Sequence, residues 1–159
     1  MNPAVAARSQ QLAQVFEVIG RTRMAGIPIL HPGLAVEAIG FAPFDANGNS
    51  ALGILLTPWF MNLIWLPLTV TEVTQRQGET TVREIGGERF EFIGAEETQF
   101  GAYELCSLFS PMFEFPDQAT ARATAQEVLD TLRRTPAAPA PLLDRRAFLF
   151  GRGPVGAQP

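Results

Sequence analysis

Very little in this chain is equipped for covalent chemistry. Cys106 is the sole cysteine, which rules out an intrachain disulfide and a cage of thiolate metal ligands. His31 is the sole histidine. Lysine is absent: all 12 basic residues are arginine, which reads as compositional bias rather than chemistry. Charged residues make up only 18% of the 159, and the net charge of -4 leaves no basic stripe to neutralise phosphates, so nucleic acid is not an expected partner. The opening residues lack the basic-then-apolar order of a signal peptide. They read instead as an amphipathic helix.

What is present is apolar. Hydrophobic residues account for 47% of the sequence, too many for a disordered chain and enough for one globular domain with a real core. From Ala46 to Thr71 no residue is charged, a length that invites comparison with a membrane span. Pro58, Pro67, Asn62 and a β-branched and aromatic bias oppose it, because proline inside a helix removes a hydrogen bond and clashes with the preceding turn. An integral membrane protein is therefore not expected.

Hydrophobic spacing lays out the elements. Leu12, Val15, Phe16 and Ile19 share one helical face within a helix from about Val5 to Arg23. An extended connector, Ile27 to Pro32, carries His31. Strands are expected over Leu34 to Phe41 and Ala51 to Leu56, joined by the Asn-Gly signal within Asp45 to Asn49, and again from Asn62 to Val70. Phe90 and Phe92 alternate with Arg89 and Glu91 in a glycine-punctuated, charged stretch, as in a strand with one buried face. Tyr103 to Phe109 is a further strand, and Pro111 and Pro116 bracket an aromatic loop. A closing helix runs from Gln118 to Arg133, with Asp117 as N-cap and Ala121, Ala125, Val128 and Leu132 as its apolar stripe. The expected fold class is α+β: an antiparallel meander sheet flanked on one face by the N- and C-terminal helices, over residues 1–134. Residues 135–141 read as a stiff Pro/Ala linker and 142–159 as an apolar, arginine-bearing tail with a loose end.

No residue set reads as catalytic. Cys106 has only His31 as a histidine partner, and it sits in Leu105-Cys106-Ser107-Leu108, where cysteine behaves as a small core residue. No H-x-x-E or C-x-x-C spacing offers a metal site, and Gly86-Gly87 is not followed by the lysine and helix of a phosphate loop. Neither cofactor nor metal is expected. Glu96-Glu97 read as part of a solvated loop. Surfaces remain. Pro58-Trp59-Phe60-Met61 places large apolar groups beside a strand-breaking proline, either filling the core or forming an exposed patch of the kind that binds proteins.

Several segments stand out in order: Arg23-Met24-Ala25-Gly26-Ile27-Pro28, His31-Pro32, Val36 to Phe41, Thr57-Pro58-Trp59-Phe60-Met61-Asn62-Leu63, Cys106 to Met112 and Arg145 to Arg152. Together they resemble the HybE/HupJ family of nickel–iron hydrogenase assembly chaperones. The resemblance implies a cytoplasmic, non-catalytic protein. It would bind precursors of the hydrogenase small subunit, the large subunit or both, alongside other maturation proteins, until cofactor insertion is complete. Exported small subunits carry a twin-arginine signal peptide, which such a chaperone would keep from premature export. The family fold is similar to small α+β secretion chaperones. Trp59, Phe60, Met61, Arg145, Arg146, Phe148 and Phe150 are the candidate client-binding residues. His31, Thr57, Pro58, Cys106, Ser107, Ser110 and Pro111 fall in family segments without an assigned role. Arg145-Arg146-Ala147-Phe148-Leu149 also resembles the twin-arginine consensus itself, so the tail either docks on the domain or imitates a client's signal. A thiol-dependent redox role for Cys106 and a structural hydrogenase-associated subunit are the alternatives.

Overall fold

The segments Ser50-Ala-Leu-Gly-Ile-Leu-Leu56 and Met61-Asn-Leu-Ile-Trp-Leu-Pro67 have apolar residues at both parities. Strands of that kind bury both faces, so a layer has to lie on each side of them. The computed structural model, which describes residues 2–44, 48–68, 78–98 and 100–134, shows this arrangement. Its elements are α1 (Pro3–Arg21), β1 (Glu37–Pro43), β2 (Ser50–Leu56), β3 (Met61–Pro67), β4 (Thr80–Ile85), β5 (Glu88–Glu97), β6 (Gly101–Phe109) and α2 (Gln118–Arg133). The six strands form one antiparallel sheet in the order β1-β2-β3-β6-β5-β4. The linker at 135–141 and the tail at 142–159, with Arg145, Arg146, Phe148 and Phe150, lie outside the described residues.

The α+β class and the terminal helices match the sequence reading. Two details differ. The sheet is not one continuous meander: β1-β2-β3 and β4-β5-β6 are separate three-stranded meanders joined through β3 and β6. The helices also do not share a face. Leu52, Ile54 and Leu56 of β2 pack in the layer containing α2, with Leu63, Phe90, Phe92, Ala125 and Leu129. Ala51 and Leu55 pack in the layer containing α1, with Leu12, Phe16, Ile64 and Tyr103. Successive side chains of a strand alternate between faces, so α1 and α2 lie on opposite sides. The double-sided apolar pattern of β2 and β3 is the physical reason.

Local chemistry fixes each helix. Asn2 caps α1 through its side-chain oxygen, which accepts from Ala4 N–H at 2.9 Å, and Pro3 occupies the position where its missing N–H costs nothing. The Arg8 guanidinium is buried against the sheet, donating to the Pro67 and Phe100 carbonyls at 3.1 and 3.2 Å and lying 3.8 Å over the Phe100 ring. Asp117 caps α2 by accepting from Thr120 N–H at 2.8 Å. At the other end of α2, Arg133 donates to the carbonyls of Gly40 (2.7 Å) and Leu52 (2.8 Å), where β1 loses register between Ile39 and Ala42.

Gly53 and Glu37 carry testable consequences. A methyl at Gly53 would collide with the Phe41 ring. Replacing a strand glycine by alanine gains roughly 0.5–1 kcal/mol from backbone entropy, whereas overpacking costs about 1–3 kcal/mol, so the clash decides the sign. Gly53→Ala therefore lowers stability in urea denaturation, and Phe41→Leu in the same chain removes most of that penalty. Glu37 accepts from Gln118 and Arg122 at 2.8 Å, tying β1 to α2. Burial pushes its carboxyl up, but the hydrogen bonds from Arg122 and Gln118 and the Arg122 charge outweigh it and leave the carboxyl below its ordinary range. The contribution is present above the ordinary carboxylate range and is lost as pH falls through the depressed value. Glu37→Gln flattens the acid limb of a stability–pH profile; an unchanged limb would remove this role.

Candidate functional site

Where β2 ends, Thr57 folds the chain back on itself. Its Oγ1 accepts from the N–H groups of Trp59 (3.1 Å) and Phe60 (3.0 Å), and its own N–H donates to the Phe60 carbonyl at 2.8 Å. This hydroxyl-closed turn, with Pro58 in it, lets β2 and β3 pair in register from Leu56 and Met61 onward. It also sorts the apolar residues. Trp59, 8% exposed, packs in the α1 layer with its ring 6.3 Å from Phe16 and close to Gly20, while Met61 is fully buried in the α2 layer. Phe60 is half-buried, edge-on to both Phe16 and Trp59 at 5.6 Å. The trio therefore does not form an exposed patch. Trp59 and Met61 are core residues on opposite faces, because both faces of β3 are covered.

His31 joins this turn to two other segments. Its N–H donates to the Pro58 carbonyl at 2.9 Å. In the ring, Nδ1 accepts from Gly33 N–H at 2.9 Å, which leaves Nε2–H to donate to the Phe115 carbonyl at 2.7 Å. The Phe113 ring stacks on the imidazole at 6.2 Å and 26°. The connector, the Thr57 turn and the Pro111–Pro116 loop thus converge on one imidazole. Both ring nitrogens are held by backbone groups, so His31 serves neither as a base nor as a metal ligand in this arrangement. Among the described residues no group of three or more His, Cys, Asp or Glu side chains is placed to hold a metal ion.

The remaining family positions divide by burial. Cys106 is 2% exposed, opposite Leu63 in the β3–β6 register and packed in the α2 layer. Ser107, Ser110 and Pro111 are exposed, and the Ser110–Pro111 peptide is cis. Sequence reading missed the exposed hydrophobics around His31: Ile27 (39%) and Ile29 (40%) in the connector and Phe113 (55%) in the loop. The cue was present in Ile27-Pro28-Ile29, since branched aliphatics between helix stop and strand start have no periodic face to join. The Thr57 hydroxyl gives a direct check. Thr57→Val keeps the volume but removes the acceptor of two N–H groups, which costs about 1–3 kcal/mol for buried donors left unmet. Thr57→Ser retains most of the stability in thermal or urea unfolding.

Comparison with known proteins follows the same segments. Residues 7–151 match the family model described as "[NiFe]-hydrogenase assembly, chaperone, HybE". The chain is 51% identical to Protein HoxT of Cupriavidus necator, over 91% of this chain and 89% of that protein. It is 43% identical to the hydrogenase expression/formation protein HupT of Azotobacter chroococcum, over 89% and 93% respectively. The solution structure of HybE from Escherichia coli has the same fold, with a TM-score of 0.62 at 20% identity over 86% of each chain. The family match over residues 7–151 and the identity to relatives along nearly their whole length lead to one conclusion: the chain belongs to the HybE family of [NiFe]-hydrogenase assembly chaperones.

Proposed function

We propose that this assembly chaperone acts by binding immature hydrogenase subunits in the cytoplasm, without catalysing a reaction on them. Its clients are the precursor of the small subunit with its twin-arginine signal, the precursor of the large subunit, or both. It releases them once cofactor insertion and pairing are complete, before export. The observation that supports this most directly is the family match running from α1 through the tail, over the turn, connector and loop that meet at His31. A protein-binding role also suits a chain whose exposed large hydrophobics include Ile27, Ile29 and Phe113. No helix among the described residues is long and apolar enough to cross a membrane.

The thiol alternative has little chemical support. Cys106 is buried in the α2 layer, and the His31 ring nitrogens are already engaged elsewhere. Reactive cysteines need exposure and a positive setting that lowers the thiol pKa.

Two measurements test the proposal. Tagged chain isolated from cells blocked before hydrogenase processing co-purifies with unprocessed subunits, and from unblocked cells it does not retain the mature enzyme. Equal recovery of mature enzyme would indicate a structural subunit instead. Cys106→Ala supports hydrogenase maturation at the level of the native chain. Loss of maturation with the fold intact would restore the redox reading.

A further inference from the structure

The layer containing α1 is only half filled. The helix spans the sheet as far as Tyr103 of β6, where Phe16 meets the Tyr103 ring edge-on at 6.4 Å. Ala95 of β5 still packs at the margin of this layer, and beyond it Ile93 of β5 and Val82 of β4 have no covering element among the described residues. Ile93 is 45% exposed and Val82 is 47% exposed there, and Val18 on the adjoining side of α1 is 49% exposed. The opposite face of these strands buries Phe90 and Phe92 completely. Between α1 and the end of β5 runs a groove of about 520 Å³, lined by Gln14, Val15, Val18, Ile19, Arg23 and Glu97 among others. Strand alternation sets Ile93 and Ala95 on the same face of β5 as the groove residue Glu97, leading away from the groove, with Ile93 opposite Leu105 and Ala95 opposite Tyr103.

The charge of this surface specifies its ligand. Glu97, at the groove end, already binds a guanidinium: Arg23 Nη2 stands 2.8 Å from Oε1. The Arg23 side chain is 64% exposed, against 20% for Glu97, so the arginine covers the carboxylate from outside. Exposed ion pairs of this type contribute only about 0–1 kcal/mol, and an arriving guanidinium can take the place of Arg23 at small cost. On the same face Arg89 stands opposite Glu84 and offsets it, which leaves Glu91, opposite Val82, as the further exposed carboxylate beside the apolar residues.

We infer that this half-open layer is the docking surface for the client, and that it takes an apolar segment of branched aliphatic side chains with an arginine at one end. The aliphatic part lies over Val18, Ile93 and Val82, where it completes the layer that α1 begins. The arginine replaces Arg23 on Glu97. This assignment rests on the client-binding reading above and adds where, and by which chemistry, the client is held.

The test uses the full chain and purified small-subunit precursor as the probe, followed by titration at two salt concentrations. Val18→Glu/Ile93→Glu weakens binding by about tenfold or more, as expected when central apolar contacts become charged. Glu97→Gln weakens it severalfold and reduces its salt dependence. Val18 and Ile93 lie at the surface, Glu97→Gln keeps the side-chain shape, and an unchanged melting temperature confirms folding. An Ala123→Glu variant, on the exposed side of α2 and so on the far side of the sheet, binds as the native chain does. Native-strength binding by Val18→Glu/Ile93→Glu, or equal loss with Ala123→Glu, overturns the assignment while leaving client binding intact. Failure of the native chain to bind any precursor overturns the client reading and this inference with it.

Discussion

The two central strands have no side to show to water. Every residue of β2 is buried, and β3 carries Leu63 and Met61 on one face with Ile64 and Leu66 on the other. Full burial of one such aliphatic side chain contributes about 1.5–3 kcal/mol, so leaving either face bare would forfeit several of them together. The helices at the two ends of the chain answer this demand from opposite sides. Much else follows from their placement: the buried Arg8 that fastens α1, the Glu37–Arg122 and Glu37–Gln118 contacts that fasten α2, and the close approach of Phe41 to Gly53.

Much of the local structure was legible from residue order. The α2 limits, its Asp117 cap and its apolar stripe are those read from spacing, because a cap and a period of 3.6 are local properties. The Phe90/Phe92 alternation correctly marked a half-exposed strand. The strand order and the facing of the helices were not legible in the same way. A chain with β-branched and aromatic runs states that strands exist, but which pair is central depends on contacts far apart in sequence, such as β3 with β6. The cue that was available, apolar residues at both parities of β2, speaks to two-sided cover and only indirectly to which helix provides it.

The site was legible in part. Thr57-Pro58-Trp59-Phe60-Met61 stood out, yet its prominence reflects turn closure and core filling: a hydroxyl acceptor, a fixed φ, and side chains sent to opposite layers. Burial cannot be read from side-chain size, so residue order left Trp59, Phe60 and Met61 open between core filling and an exposed patch. His31 was recognised as a singular residue, and its partners Gly33, Pro58, Phe113 and Phe115 come from three places in the chain that only folding unites. The Arg23–Glu97 pair likewise spans α1's exit and the end of β5.

The Arg133 guanidinium, with its bonds to the Gly40 and Leu52 carbonyls, bears on what the edge of the sheet offers to another polypeptide. β1 lies at the margin of the sheet, and a marginal strand with free amide groups is a template on which any extended chain can add itself. Here the strand is bulged, ends in Pro43, and has a carbonyl claimed by a side chain from α2. A passing polypeptide finds an interrupted ladder. An assembly chaperone built this way presents, at this edge of its sheet, little on which another chain could extend the ladder.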